Sequence, residues 1–362
     1  MAYRPNYQIS NKIINDLTEI AEIKAIIERA PILPRDEARL RRQALVRMVH
    51  ASVSIEGNRL NAYEVNKVIE GQKVDAAERE IHEVKNYQTA LNFISQWVEA
   101  KKSLNLHLIL KVQELVTRST LPPEKSGHFR KNDVYVANIS KIPHKKDKEE
   151  ILYVAPKAEQ VPGLLKDLIE WVANADKNRV SPVIIAGIFH YQFVTIHPFT
   201  DGNGRTARIL ATLILYERGY DFRKLFSLEQ YYNEHRKEYY LALSTGKNYQ
   251  VRIGVNITSW LEYFTKGFVE EMRQIKQKLM AVSFNRVAQP AEEQVYLTSE
   301  KIKIMDYATT MGSITSDEVT DITGAAKRTA QLHLQDLVRK GLLRRIGKGP
   351  SSRYVIASQL RP

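Results

Sequence analysis

The residues best equipped for chemistry lie in one string, HPFTDGNGRTAR at positions 197–208, between two apolar stretches that read as helices. Gly202 and Gly204 allow a backbone with φ > 0 that comes close to a ligand, and the loop opens into a helix near Gly204. Unpaired N–H groups at that helix start, together with the helix dipole, favour an anion. Arg205 and Arg208 are three residues apart and so are neighbours on one helical face. Two guanidiniums that close, beside a glycine-rich nest, call for a polyanion, and a polyphosphate fits. Asp201 offers the hard carboxylate oxygen that Mg2+ on a polyphosphate requires. His197 is the nearby group whose pKa suits removal of a hydroxyl proton. The plain alternative is a well-capped turn between helices. A second string, SVSIEGN at 52–58, puts Ser52 and Glu56 four apart on one helix face, with Gly57 placed to end that helix in a left-handed cap. Its plain reading is an exposed helix end beside a turn.

Positioning these groups falls mostly to helices. Isoleucines and Leu17 recur at three- and four-residue steps from Ile13 to Ile27, which predicts an amphipathic helix over 11–29, broken by Pro31 and Pro34. Similar patterning predicts helices over 35–55, 64–69, 78–98, 106–117, 163–172, 183–194, 204–217, 228–243 and 255–279. Segments 132–137 and 151–154 are short and rich in aromatic and β-branched residues, so they predict a β-hairpin across the charged connection KIPHKKDKEE. The lysines at 141, 145, 146 and 148 read as a solvated loop, with docking of an acidic target as the alternative. After a polar stretch over 285–299, helices over 301–309, 316–322 and 326–339 precede a basic hairpin with a Gly/Pro/Ser tip. Three helices and a hairpin are the layout of a winged helix-turn-helix. The expected class is therefore mainly α.

With 362 residues, 43% hydrophobic and 26% charged, the chain is long enough for two or three domains with real cores. It has no cysteine, which excludes disulfides, a thiol nucleophile and cysteine-based metal sites and makes a reducing cytoplasm the expected home. The start, MAYRPNYQISNK, lacks an export signal's apolar stretch, and no apolar run approaches the roughly 18 residues of a membrane span, so no membrane partner is expected. The formal charge of +13 favours polyanionic partners, and it is concentrated in two windows. Residues 101–150 carry 11 Lys+Arg against 6 Asp+Glu, and residues 301–362 carry 11 against 5. The histidines outside the 197–208 string share no metal-ligand spacing, and His190 reads as a core or supporting residue.

The 197–208 string resembles the signature of the Fic (Fic/Doc) family, H-x-F-x-D/E-G-N-G-R-x-x-R, at every specified position. The similarity continues through Gly127-His-Phe-Arg130, the hairpin, Pro156, Trp171 and Tyr239-Tyr240, roughly residues 1–279. It implies a helical core with a β-hairpin flap and a protein adenylyltransferase that moves AMP from ATP to a Ser, Thr or Tyr hydroxyl of a target protein, and to itself. On that resemblance His197 is the general base, Phe199 anchors the loop, and Asp201 binds Mg2+ bridging the α- and β-phosphates. Gly202, Asn203 and Gly204 cradle phosphate oxygens, Arg205 contacts the β-phosphate and Arg208 the γ-phosphate. Gly204 separates the chain from the Doc-like branch, which has Lys there and phosphorylates its target. Val136, Ala137 and Asn138 are expected near the nucleotide on a flap that offers its edge to an extended target segment. Tyr239 is expected to stack near adenine or, alternatively, to be core.

Ser52, Glu56 and Gly57 resemble the family's inhibitory sequence, S/T-x-x-x-E-G/N, and their N-terminal placement resembles class II members. The resemblance implies that Glu56 pairs with Arg208 in place of the γ-phosphate; the same carboxylate aligning a water to remove AMP is a second reading. The expected organisation is a helical region over 1–100 with the inhibitory motif at 52–57, a catalytic core over 101–284, a linker over 285–299 and a winged helix-turn-helix over 300–362. Lys327, Arg328, Gln331 and Gln335 on its third helix, with Arg344, Arg345, Lys348 and Arg353 on its hairpin, fit DNA. They fit equally a module for protein contacts, a homodimer included. The alternative function is thus a DNA-binding transcriptional regulator whose nucleotide site acts as a sensor.

Overall fold

The isoleucine stripe near the N-terminus forms α1 (Asn11–Arg29), which buries Ile13, Ile20, Ile23 and Ile27 and is capped by Ser10. This is a computed structural model, and the residues it describes are 2–30, 34–140, 148–287, 297–347 and 352–357. The chain divides into two units, Met1–Leu279 and Met280–Pro362. In the first, α1 is followed by α2 (Pro34–Ile55), α3 (Ala62–Ile69), α4 (Glu78–Glu99) and α5 (Leu106–Thr117). A two-stranded hairpin, β1 (Tyr135–Ser140) and β2 (Lys148–Val154), precedes α6 (Val161–Lys177), α7 (Pro182–Ile196) and α8 (Asn203–Glu217). Then come α9 (Leu228–Glu234), α10 (Arg236–Leu243), α11 (Tyr249–Arg252) and α12 (Thr258–Val287), whose last residues lie past the unit's end at Leu279.

The core is built around α7. It carries no charged Asp, Glu, Lys or Arg, and all its residues except Pro182 and Val194 are buried, as befits a helix with no solvent face. Helix α8 packs along it, with α4 and α5 on the other side of α8, while α2 packs on α4 and α9. The functional string therefore joins the two most central helices, and α2 lies alongside. Among the described residues no helix is long and apolar enough to cross a membrane.

Several expected boundaries move. The helix predicted over 228–243 is two helices, because His235 leaves helical geometry with φ −112° and ψ 44°. The break lets Tyr232 and Tyr239 stack at 4.6 Å in the core. Helix α12 starts at Thr258, whose N–H is held by Asn256 Oδ1 at 2.9 Å, and runs on to Val287, past the expected start of the linker at 285. Strand β1 begins at Tyr135 rather than Asn132, and its register with β2 shifts between Val136 and Ala137. The loop lysines 141, 145 and 146 lie outside the described residues, as does most of the 285–299 stretch.

The second unit contains α13 (Ser299–Met311), α14 (Ser316–Thr323), α15 (Lys327–Arg339) and an antiparallel pair, β3 (Leu343–Ile346) and β4 (Arg353–Ile356). A capping box between Thr315 and Glu318 starts α14. Lys327, Arg328, Gln331 and Gln335 are exposed on α15, and Arg344, Arg345 and Arg353 on the strands; Lys348 lies outside the described residues.

Candidate active site

His197 follows the last turn of α7 and is itself left-handed, with φ 50° and ψ 61°, its N–H bonded to Phe193 O at 3.0 Å. Its Nδ1 lies 3.3 Å from Val194 O. With the Nδ1 proton donated there, Nε2 is left as an acceptor, the form a base needs. Burial, aided by Arg130 and Arg252, outweighs the Val194 carbonyl and Glu56 and pushes the imidazole pKa down to about 4. His197 is therefore neutral at neutral pH.

The loop after it is fixed from inside. Phe199 is fully buried between Phe129 at 5.7 Å and Phe193 at 6.2 Å. Asn203 holds both polar groups of Phe199, accepting from its N–H at 2.9 Å and donating to its carbonyl at 2.8 Å. Gly202 has φ +81°, and a Cβ there would meet Thr117 Cγ2 at 2.8 Å, so no other residue fits. Gly204 differs from the expectation, because its backbone is helical and what it supplies is room: a Cβ would stand 2.5 Å from Glu56 Oε1. The first helical bond of α8 runs from Thr206 N–H to Gly202 O at 2.9 Å. Helix geometry thus leaves the amides of Asn203, Gly204 and Arg205 for another acceptor.

Arg205 and Arg208 are both buried, yet each turns to a different neighbour. Arg208 donates from Nε to Ser52 Oγ at 2.9 Å and from Nη2 to Ser52 O at 3.1 Å and Glu56 Oε1 at 2.8 Å. Arg205 donates to Val116 O and to Asp201 Oδ1, both at 3.3 Å, and lies 3.8 Å from Glu83 Oε1. The two guanidiniums thus meet separate carboxylates. Burial raises the Glu56 pKa, but Arg208, Arg205 and Arg236 outweigh it and hold the carboxyl below its ordinary range. Reciprocally, Glu56 outweighs burial and holds the Arg208 pKa above its ordinary value. Gly57, at φ +96°, ends the segment that carries Glu56. The turn is pinned to α4 by Asn58 Nδ2, which donates to Glu83 Oε2 at 2.9 Å and Glu80 O at 3.1 Å.

The outlying candidates divide. Val136 and Ala137 are half-buried on β1 at the register shift; the Asn138 backbone pairs with Glu150, and its side chain lies outside the described residues. Tyr239 is 2% exposed, its hydroxyl 2.9 Å from His190 Nε2, so of its two readings the structure places it in the core. Tyr240 beside it is 45% exposed, donates to Ile55 O at 3.4 Å and has the Arg236 guanidinium 5.9 Å from its ring. Sequence reading placed Tyr240 in the similarity but gave the nucleotide role to Tyr239 alone, since adjacent tyrosines on a short helix give no sign of which faces in. It also missed Glu83, which meets Arg205 from a distant helix, and Glu229, which is buried with Tyr87 Oη donating to it at 3.0 Å. Arg130 carried one signal, its place in the Gly127–Arg130 similarity, without a role.

Residues 103–215, which span the whole 197–208 string, match the profile of the Fic/DOC family. The chain carries a Fic/DOC domain. Protein adenylyltransferase fic-1 of Caenorhabditis elegans is 31% identical over 186 residues, covering 50% of this chain and 34% of that protein. Protein adenylyltransferase Fic of Drosophila mojavensis is 29% identical over 188 residues, with the same two coverages, 50% and 34%. The chain spans about a third of the length of these curated relatives. Among solved structures, a Fic family protein from Desulfovibrio desulfuricans G20 aligns with a TM-score of 0.61 at 25% identity, covering 99% of this chain and 100% of that one. Fic-1 (residues 134–508) from C. elegans aligns with a TM-score of 0.57 at 24% identity, covering 75% and 74% respectively, and shares the fold. The mainly helical fold is thus that of Fic proteins, with His197 to Arg208 at the junction of the two central helices of the Fic unit.

Proposed function

We propose that the chain is a protein adenylyltransferase whose own Glu56 inhibits it. The observation that carries this reading is the pairing of Glu56 and Ser52 with Arg208 beside the glycine-rich start of α8. A γ-phosphate directed at Arg208 has to displace the Glu56 carboxylate. With that carboxylate gone, the free amides of residues 203–205 and the two guanidiniums form a cationic cradle for a triphosphate. A target hydroxyl oxygen then bonds to the α-phosphorus, the bond to pyrophosphate breaks, and the hydroxyl proton passes to His197 Nε2. Removal of AMP, with Glu56 aligning a water, would be a separate hydrolysis: the water oxygen bonds to the phosphorus of the modified target, the bond to the target oxygen breaks, and AMP leaves as that oxygen takes up a proton.

Mg2+ fits Asp201. Its side chain is 36% exposed, and Oδ2 has Arg79 as its ionic neighbour only at 3.7 Å. Among the described residues no group of three or more His, Asp or Glu could hold a metal, so the ion would be held by one carboxylate with phosphate oxygens and water, a set that suits Mg2+. Bound there, it would neutralise phosphate charge. The hairpin's exposed Tyr135, Ile151 and Val154 support docking of an extended target segment along the flap.

The test is incubation of wild type, Glu56→Gly and Glu56→Gly/His197→Ala with labelled ATP and Mg2+, followed by mass spectrometry. Glu56→Gly is expected to incorporate AMP at least about tenfold faster than wild type, and the double variant not at all. Equal incorporation by wild type and Glu56→Gly would remove the inhibitory role, and none by Glu56→Gly would remove the transferase reading. For residues 300–362, the exposed basic face on α15 and the hairpin supports a separate proposal, contact with duplex DNA. Salt-sensitive retention of a labelled duplex, lost in Lys327→Glu/Arg328→Glu, tests it.

A further inference from the structure

The Arg130 side chain is 1% exposed, and among the described residues its nearest carboxylate, Asp133, lies 3.9 Å away and is itself 66% exposed. Burying a guanidinium against carbonyl groups with so distant a counter-charge is costly, and burial holds its pKa below the ordinary arginine value. What it gains is a particular set of partners. Nε donates to His197 O at 2.9 Å, Nη1 to Asn132 O at 3.1 Å and Nη2 to Pro156 O, while its backbone N–H donates to Pro198 O at 3.0 Å. Asn132 lies just before β1 and Pro156 just after β2, so a single side chain ties the general base to both roots of the hairpin.

We propose that Arg130 is a positioning residue that locks the target-docking hairpin to His197, so that a segment bound on the flap stands in a fixed relation to the proton acceptor. This rests on the transferase reading above. The lock has work to do at His197, because a non-glycine residue in left-handed geometry is strained and must be held there by its surroundings. An outward movement of the hairpin roots would draw the guanidinium off the His197 carbonyl and release the backbone that aims the imidazole. A second tie runs alongside: Tyr153 of β2 donates to Thr195 O, with the Arg252 guanidinium 3.7 Å from its ring. Misalignment of this kind lowers the rate of transfer without touching the nucleotide's own contacts.

The test places Arg130→Lys and Arg130→Gln in the Glu56→Gly background and follows self-incorporation of labelled AMP against ATP concentration. Lysine keeps the charge but offers one nitrogen where arginine offers three to separated carbonyls. Both variants are expected to lower kcat at least about tenfold and to leave the KM for ATP within about twofold. Full activity of Arg130→Lys, or a loss expressed mainly in KM, would overturn the proposal. Native-state hydrogen exchange on the unaltered chain tests it without a variant. The amides of Arg130 (to Pro198 O), His197 (to Phe193 O) and Ala155 (to Val134 O) are expected to open with one common free energy. Independent openings would overturn the lock even if Glu56→Gly proved inert toward ATP, an outcome that by itself would strike only the transferase reading.

Discussion

Replacing Gly204 by Ala would build a Cβ 2.5 Å from Glu56 Oε1 and 3.1 Å from Arg208 Nη1. Restoring an ordinary separation of about 3.5 Å moves the carboxylate by about 1 Å, off the position where Oε1 meets Arg208 at 2.8 Å. A hydrogen bond between charged groups contributes about 1.5–3 kcal/mol. Because the Glu56 side chain is 31% exposed, solvent screening reduces that to about 1–2 kcal/mol. Against the loss stands the gain from placing Ala instead of Gly within a helix, about 0.5–1 kcal/mol. Gly204→Ala is therefore expected to be neutral to destabilising by about 1.5 kcal/mol when Glu56 is present, and stabilising by about 0.5–1 kcal/mol in Glu56→Gly. The coupling in the double-mutant cycle is then about 1–2 kcal/mol. Urea unfolding followed by tryptophan fluorescence suits the measurement, since Trp97, Trp171 and Trp260 all belong to the first unit. An equal shift from Gly204→Ala in both backgrounds would refute the placement of Glu56 against α8.

Three further outcomes can be checked. With the His197 pKa at about 4, incorporation by Glu56→Gly should show no loss of base between pH 8 and pH 6 and should decline only as the pH approaches 4; a midpoint near 6.5 would contradict the buried environment. Burial raises the Glu229 pKa to about 7, so the folded chain keeps a proton that the unfolded chain releases from about pH 4.5 upward. Stability should fall by up to about 3 kcal/mol as the pH rises through that window, and Glu229→Gln should be spared the loss, which parallel urea titrations at pH 5 and pH 8 would register. Tyr239→Ala should cost about 3–5 kcal/mol of stability, whereas Tyr240→Ala should cost under about 1 kcal/mol and weaken ATP retention in the Glu56→Gly protein. Melting curves and ATP titrations separate the two.

What could be read from residues alone was what is local. The α1 stripe, the charge-free α7 and the 197–208 loop declare themselves within a few turns of chain, and the mainly helical fold follows from them. The break at His235 does not, because nothing near it disfavours helix; it pays off only when Tyr232 and Tyr239 meet Trp260 and His190 in the assembled core. The three-residue spacing of Arg205 and Arg208 correctly placed both on α8 but gave no hint that one would turn to α2 and the other toward α4 and α5. Gly204 was legible as a glycine of the nest, yet its reason lies far off in the sequence, in the carboxylate of Glu56 just past α2, which it leaves room for. Contacts across such distances leave no periodicity to find.

The pair of bonds between Asn203 and Phe199 has a thermodynamic consequence of its own. By closing residues 199–203 into a ring whose aromatic corner is buried, they give the nest its shape when the chain folds. Fixing a backbone residue costs about 1–2 kcal/mol of conformational entropy, and here that cost is met once, from the stability of the whole unit. An anion entering the nest meets amides already facing it, so more of its interaction energy appears as affinity. Asn203→Ala would return that ordering cost to each binding event.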